Sequence, residues 1–412
     1  MNKKVTSILI AVCIIGIISA FPIPAHAEDA AFSKTQENFV FDTGYDSTPI
    51  SIKKNKNLWN LKKNRKITGK VKQAACMGKG LLALKTDGKL YYLYNTSGNK
   101  WTSKKLLGGV KELAEGAYVE IGSKTFVYAV KKNGDLVRGT LKFNSKRSKV
   151  TKKTWKTVTK NVAHAYIASS YHSDSYDVSY YAIKKDGGLY AWGDNSFGQI
   201  GNGTLTKVKK PTLVMNDITK FSCAMQSNGT APNGGPSCYA IDTAGTLYGW
   251  GVNDFLTVKS GEDVKVKKPI AILENVRMAK GANHVAIALI NDGTLWTWGT
   301  ELGNYTVDGH TVTHYGIGLT EVASDVTAAD VNEFTMFFVK SDKTLWYKGS
   351  APSTKYKASG DPVKLASKVT AVRTTDTEGT FFLKTNGNLY GLGYNFGKYV
   401  GKIKKLGTGF PK

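Results

Sequence analysis

The sequence predicts an all-β fold, a single-domain β-propeller of four-stranded blades. Three observations carry that expectation. The stretch YAIKKDGGLYAWG, Tyr181 to Gly193, reads as a hairpin and is written again as CYAIDTAGTLYGWG at Cys238–Gly251 and AIALINDGTLWTWG at Ala286–Gly299. Aligned on that hairpin, turn positions fall at Lys56, Gly88, Gly134, Gly187, Gly245, Gly293, Lys343 and Gly387, and from Gly88 onward they are 46, 53, 58, 48, 50 and 44 residues apart. Such a period, built from short strands, signals a propeller or a related array. Finally, no segment sustains an i, i+3, i+4, i+7 apolar stripe, and β-branched and aromatic residues dominate the periodic parts, which excludes helical solenoids.

The elements follow in chain order. Lys3 and Lys4 precede an apolar run from Val5 to Ala20, and Ala25-His26-Ala27 has the small-residue form of a cleavage site. Residues 1–27 therefore read as a secretory signal peptide, 28–37 as an N-terminal segment and 38–412 as the propeller. The apolar run is short for a bilayer span. The expected setting is secreted, extracellular or cell-surface associated. Each copy then consists of strand, short turn, strand, tight turn, strand and a variable basic connector holding a fourth strand. Val71, Val276 and Val326 each open a copy seventeen residues before its turn, and Phe39 does the same in the first, worn copy. The third and fourth copies carry insertions, SSYHSDSYDVS and the Cys223–Cys238 segment. Small residues such as Ala182, Ala240 and Ala288 are expected where strands crowd a central channel. Leu-aromatic pairs, among them Leu189-Tyr190 and Leu295-Trp296, are expected to face neighbouring blades. Glycine in the turn permits positive φ, so the turns at Lys56 and Lys343 are expected to be longer or strained.

At these residues the chain resembles the regulator of chromosome condensation repeat family. YAIKKDGGLYAWGDNSFGQIGNGT, Tyr181 to Thr204, matches the repeat over its full length; VRMAKGANHVAIALINDGTLWTWG matches it upstream, and FFLKTNGNLYGLGYNFG keeps most of the pattern. The resemblance implies a propeller, seven blades being most usual. The eight hairpins allow eight blades, or a first copy that merges with the C-terminal strand YVGKIKKLG. The founding member's nucleotide exchange on a small GTPase does not transfer to an exported chain. The setting is similar to that of the propeller-type β-lactamase inhibitory protein, which implies binding with one end of the ring.

The residues point to binding more than to chemistry. The chain carries 57 Lys+Arg against 31 Asp+Glu, a net charge of +26, and such a field attracts polyanions. Lysines cluster in the connectors, giving Lys146, Arg147, Lys149, Lys209 and Lys210 as candidate polyanion contacts. Lysine on outer edge strands also blocks edge-to-edge pairing, so protection and binding both stand. Loop aromatics Tyr171, Tyr176, Phe197, Phe255 and Tyr305 are candidate anchors for a protein partner. Cys223 and Cys238 are either a disulfide closing a short loop or two buried thiols. Among the histidines, His310 and His314 fall on one side of a strand, and two ligands alone make a poor metal site. There is no H-E-x-x-H, G-x-S-x-G or P-loop pattern. The expectation is a monomeric, exported, non-catalytic module without cofactor, binding an extracellular protein or an anionic cell-wall polymer. The alternative is a secreted enzyme whose site assembles at the channel mouth.

Overall fold

A computed structural model describes residues 50–410 apart from short connecting stretches, of which 226–234, 254–257, 259–264, 300–304, 313–316, 351–355 and 375–378 are the longest. Residues 1–49, among them the expected signal peptide and Phe39, lie outside the described residues. The described residues form strands and turns only. These assemble into eight antiparallel repeat units, taken here as unit 1 to unit 8 in chain order. Unit 1 shows three strands, Ile50–Ile52, Leu58–Asn60 and Arg65–Thr68. Units 2 to 8 have four strands each, and they begin at Val71, Val110, Val162, Ile218, Val276, Val326 and Val369. Units 3 and 4 are joined by one parallel pairing, Tyr166 opposite Glu115. A small hairpin, Tyr305–Val307 with His310–Val312, is inserted in unit 6.

The repeated turn is the clasp between units. The carbonyl of each turn residue accepts a hydrogen bond from the first amide of the next unit: Gly88 from Val110 at 2.9 Å, Gly134 from Val162 at 2.8 Å, Gly293 from Val326 at 2.8 Å. Lys56 and Lys343 serve Val71 and Val369 in the same way, each at 2.8 Å. Their turns are no longer than the others. Each lysine instead takes the left-handed conformation itself, with φ of 60° and 65°. The strain expected from the sequence is therefore present, and the extra length is not.

An apolar core fills every junction. Leu82, Leu90 and Val127 lie between units 2 and 3, Ile183, Phe221 and Trp250 between 4 and 5, and Phe337, Leu345 and Phe382 between 7 and 8. The repeated leucines Leu189, Leu247, Leu295, Leu345 and Leu389 are all fully buried, and their aromatic partners are half-buried. Ala182, Ala240 and Ala288 lie in these junctions, on the second strand, rather than beside the channel. Small side chains let adjacent sheets approach closely there.

The ring closes through the C-terminus. The carbonyl of Gly387 accepts the amide of Phe410 at 3.1 Å, and the carbonyl of Gly409 accepts the amide of Lys54 at 3.0 Å. These two bonds repeat the pattern of every other junction. Gly409, with φ of 78°, stands where Lys70, Asn161 and Asp325 stand elsewhere, and Phe410 stands where the opening valine stands. Phe410 packs with Leu61 of unit 1 and Ala371, Phe381 and Leu389 of unit 8. The strand YVGKIKKLG does not merge with the first copy. It is the outermost strand of unit 8, Lys398–Gly407, and the closing residues follow it.

Candidate binding surfaces and central channel

Antiparallel topology sorts the connections by face. Tight turns and unit-to-unit connectors share one face, because each turn is bonded to the start of the next unit. The loops between first and second strands, and between third and fourth, must then lie on the opposite face. Every insertion falls there, so one face is uniform and the other varies. On the variable face, the loop after Gly193 is held rigidly. Asn195 is fully buried; its side-chain amide donates to the Thr204 carbonyl at 2.9 Å and to Asn202 Oδ1 at 3.1 Å, and its Oδ1 accepts from the Ile200 amide at 2.9 Å. The Gln199 carbonyl accepts from Tyr181 Oη at 3.0 Å and from Trp250 Nε1 at 2.8 Å, docking the loop on unit 5. Leu205, at the end of this loop, is 41% exposed. Sequence reasoning missed it because an isolated leucine among polar residues carries no pattern.

Phe197 is not a surface anchor. It is buried against Val252 and Gly235 of unit 5, with the Lys265 ammonium 5.1 Å from its ring centroid. It seals a junction instead. Tyr171 and Tyr176 are backbone register partners on the first two strands of unit 4, and Tyr305 lies on a strand of the unit 6 hairpin. Phe255, Lys146 and Arg147 lie outside the described residues, as do His284 and His314. Lys149, Lys209 and Lys210 are exposed, the last two on the outermost strand of unit 4. Lys142 and Lys152 stand directly opposite on the outer strands of unit 3. Nearby, Lys153 is held below its ordinary pKa by burial and by Lys104 and Lys105 of unit 2.

Cys223 and Cys238 are cross-strand neighbours in unit 5, and both are free thiols with sulfurs 3.1 Å apart. That separation is a contact and not a bond. The Tyr181 hydroxyl lies 3.3 Å from the Cys238 sulfur. Burial first, then the hydrogen bond with Cys238, pushes the Cys223 thiol up, which disfavours a thiolate nucleophile.

The first strands of units 2 to 8 enclose a channel of about 830 Å³. Its charges mostly stitch adjacent units. Asp330, almost fully buried, accepts from the Val331 amide at 3.0 Å, from the Thr374 amide at 2.9 Å and from Lys280. His164 Nδ1 lies 3.2 Å from Glu112. Glu115 is placed differently. Pairing jumps from Leu113–Ala129 to Tyr118–Val127, so residues 114–117 bulge toward unit 4. Gly116 permits this: its φ is 69°, and a Cβ there would meet the Ile167 carbonyl at 2.4 Å. The Glu115 side chain is exposed to the channel lumen and ringed by the surrounding strands. The crowded lumen hydrates the carboxylate less well than open water, which raises its pKa, and Arg373 and Lys280 offset part of the rise. Among the described residues, no group of three or more His, Cys, Asp or Glu could hold a metal.

Two family models, both described as the regulator of chromosome condensation (RCC1) repeat, match residues 186–227 and 168–199. Curated relatives include the human E3 ubiquitin-protein ligase HERC2, 27% identical over 131 residues, covering 30% of this chain and 2% of that protein. Protein pim1 of Schizosaccharomyces pombe is 28% identical over 131 residues, covering 29% of this chain and 23% of that protein. The matched region is thus a small part of each relative. Among solved structures, yeast RCC1 (Prp20), bound there to Kap60, is similar with a TM-score of 0.46 at 17% identity, covering 72% of this chain and 75% of that one. Human WBSCR16 gives 0.46 at 12% identity, covering 74% and 84%.

Proposed function

Since this chain carries regulator of chromosome condensation repeats, we propose that it is an exported, non-catalytic binding module that holds a protein partner on its variable face. One observation carries this reading: a loop locked by buried Asn195 and Gln199 presents Leu205 to solvent. A leucine exposed on a mobile loop is unremarkable, but a pre-ordered one lowers the entropy cost of association. The propeller supplies the rigid base, and the sequence differences gather where a partner would touch.

The test is site-specific photocrosslinking with the full-length chain. A photoreactive residue at position 205 is expected to give a discrete protein adduct in the producing cell's surroundings. The same residue at Lys132, on the uniform face, is expected to give none. Equal labelling at both positions would remove the face assignment. The alternative of a channel enzyme draws on Glu115 and the His164–Glu112 pair. Turnover abolished by Glu115→Gln, with the Leu205 crosslink intact, would favour it.

A further inference from the structure

The uniform face carries a charge pattern that its backbone does not require. One turn position in every unit donates its amide to the preceding connector, at Lys54, Thr86, Lys132, Lys185, Thr243, Asn291, Ser341 and Thr385. The backbone is the same at all eight places, so the fold accepts lysine, threonine, asparagine or serine there. Lysine occurs only at units 1, 3 and 4. Lys56 and Lys70 add positive charge between units 1 and 2. The connectors entering units 5, 6 and 7 instead carry Asp217, Glu274 and Asp325. Lys343 and Lys368 stand at the junction of units 7 and 8 as Lys56 and Lys70 do at that of units 1 and 2, so lysine predominates from that junction through unit 1 to unit 4, with Asp87 and Asp186 interspersed, and acidic connectors hold the rest of the ring.

Edge protection cannot explain the basic arc. That device acts on outermost strands, whereas these lysines stand on turns and connectors. Lys54, Lys56, Lys70, Lys132 and Lys185 are all exposed. Their stems step around the ring, since Lys132 lies against the turn at Gly88 and Lys185 against the turn at Gly134.

We propose that this arc binds a flexible, base-free phosphodiester polymer of the polyol-phosphate type. The positive charges are all lysine, a compact charge suited to single phosphates rather than to bidentate carboxylate or base-edge recognition. The aromatic rings beside the arc, Trp59 and Tyr190, are half-buried and already covered by the Lys53 and Lys184 ammonium groups, 3.7 and 3.9 Å from the ring centroids, so neither offers a free face on which a base would stack. The acidic connectors entering units 5, 6 and 7 disfavour a polyanion there and leave it the lysine-rich remainder of the ring. The site is independent of the protein-binding reading, because it lies on the other face.

The experiment measures binding of the full-length chain to poly(glycerol phosphate) at two salt concentrations. Polyglutamate and a single-stranded oligonucleotide of matched charge are the comparison probes. The quadruple variant Lys54→Glu, Lys70→Glu, Lys132→Glu, Lys185→Glu is expected to bind about tenfold or more weakly and with a shallower salt slope. Lys209→Glu with Lys210→Glu, on an outer strand, is expected to change binding less than about twofold. Glutamine at the same four positions, with unchanged thermal unfolding, separates lost binding from lost fold. Equal loss in the outer-strand variant would overturn the location. Equal or tighter binding of polyglutamate or the oligonucleotide would overturn the ligand class.

Discussion

At the scale of single residues, the two lysines in glycine's place are the sharpest departure from the repeat. Lys343 holds φ at 65° and still makes the same clasp to Val369 as the glycines make. A left-handed non-glycine residue costs about 1–2 kcal/mol, part of which glycine returns as unfolded-state entropy. Lys343→Gly is therefore expected to raise stability by about 0.5–1 kcal/mol in chemical denaturation. A loss would mean that the lysine side chain stabilises the turn by more than its backbone strain costs. Glu115 gives a pH signature. Its folded pKa is raised above the ordinary 4.5, chiefly by desolvation, so the folded state holds this proton more tightly than the unfolded chain. Its contribution is complete below the ordinary value and is lost as pH rises toward the folded value. Glu115→Gln keeps the neutral shape, so its denaturation midpoint is expected to gain on the parent protein's as pH rises above the ordinary carboxylate value. Arg373 and Lys280 temper that gain, because the parent's ionised carboxylate meets them across the channel. A constant difference across the range would show that Glu115 titrates as an exposed carboxylate.

At the scale of elements, most of the fold was legible because one sentence is repeated. The spacing of the turns, the buried leucine after each turn and the valine or isoleucine opening units 2 to 8 are visible in the chain, and all three meet at the inter-unit clasp. What stayed hidden has physical reasons. The Glu115 bulge depends on one left-handed glycine making room beside Ile167, and Gly116 looks like any other glycine in the sequence. Phe197 read as a loop aromatic, yet the loop folds back and inserts it into the next junction. The locked loop rests on Asn195, whose amide makes four recorded contacts to Asn202, Thr204 and Thr206. Asn195→Ala leaves the buried Ile200 amide without its acceptor and frees the more exposed Asn202, Thr204 and Thr206 to water. The expected cost is about 1–3 kcal/mol, with new proteolytic cleavage confined to residues around 194–206. If cleavage spreads evenly over the molecule, the loop is not an independent rigid element and Leu205 loses its claim to pre-order.

At the scale of the whole molecule, a ring of repeats is only as cooperative as its last junction. Seven junctions join units adjacent in the chain, so their clasps form between neighbours. The junction from unit 8 to unit 1 brings the two ends of the described chain together and carries the loop-closure entropy of the entire ring. Its contacts are Phe410, Leu61 and the clasps made by Gly387 and Gly409. Phe410→Ala removes a side chain that is 2% exposed and is expected to cost about 3–5 kcal/mol. Val326→Ala, at an internal junction, removes fewer buried atoms and no closure. The distinguishing measurement is cooperativity. Deleting Thr408–Lys412 is expected to split the unfolding transition, with hydrogen exchange rising first in units 1 and 8 and later in units 4 and 5. Val326→Ala should lower the midpoint and leave a single transition. If the deletion lowers the midpoint without spreading the transition, the ring is held shut by chain outside residues 50–410 and the C-terminal clasp is only one junction among equals.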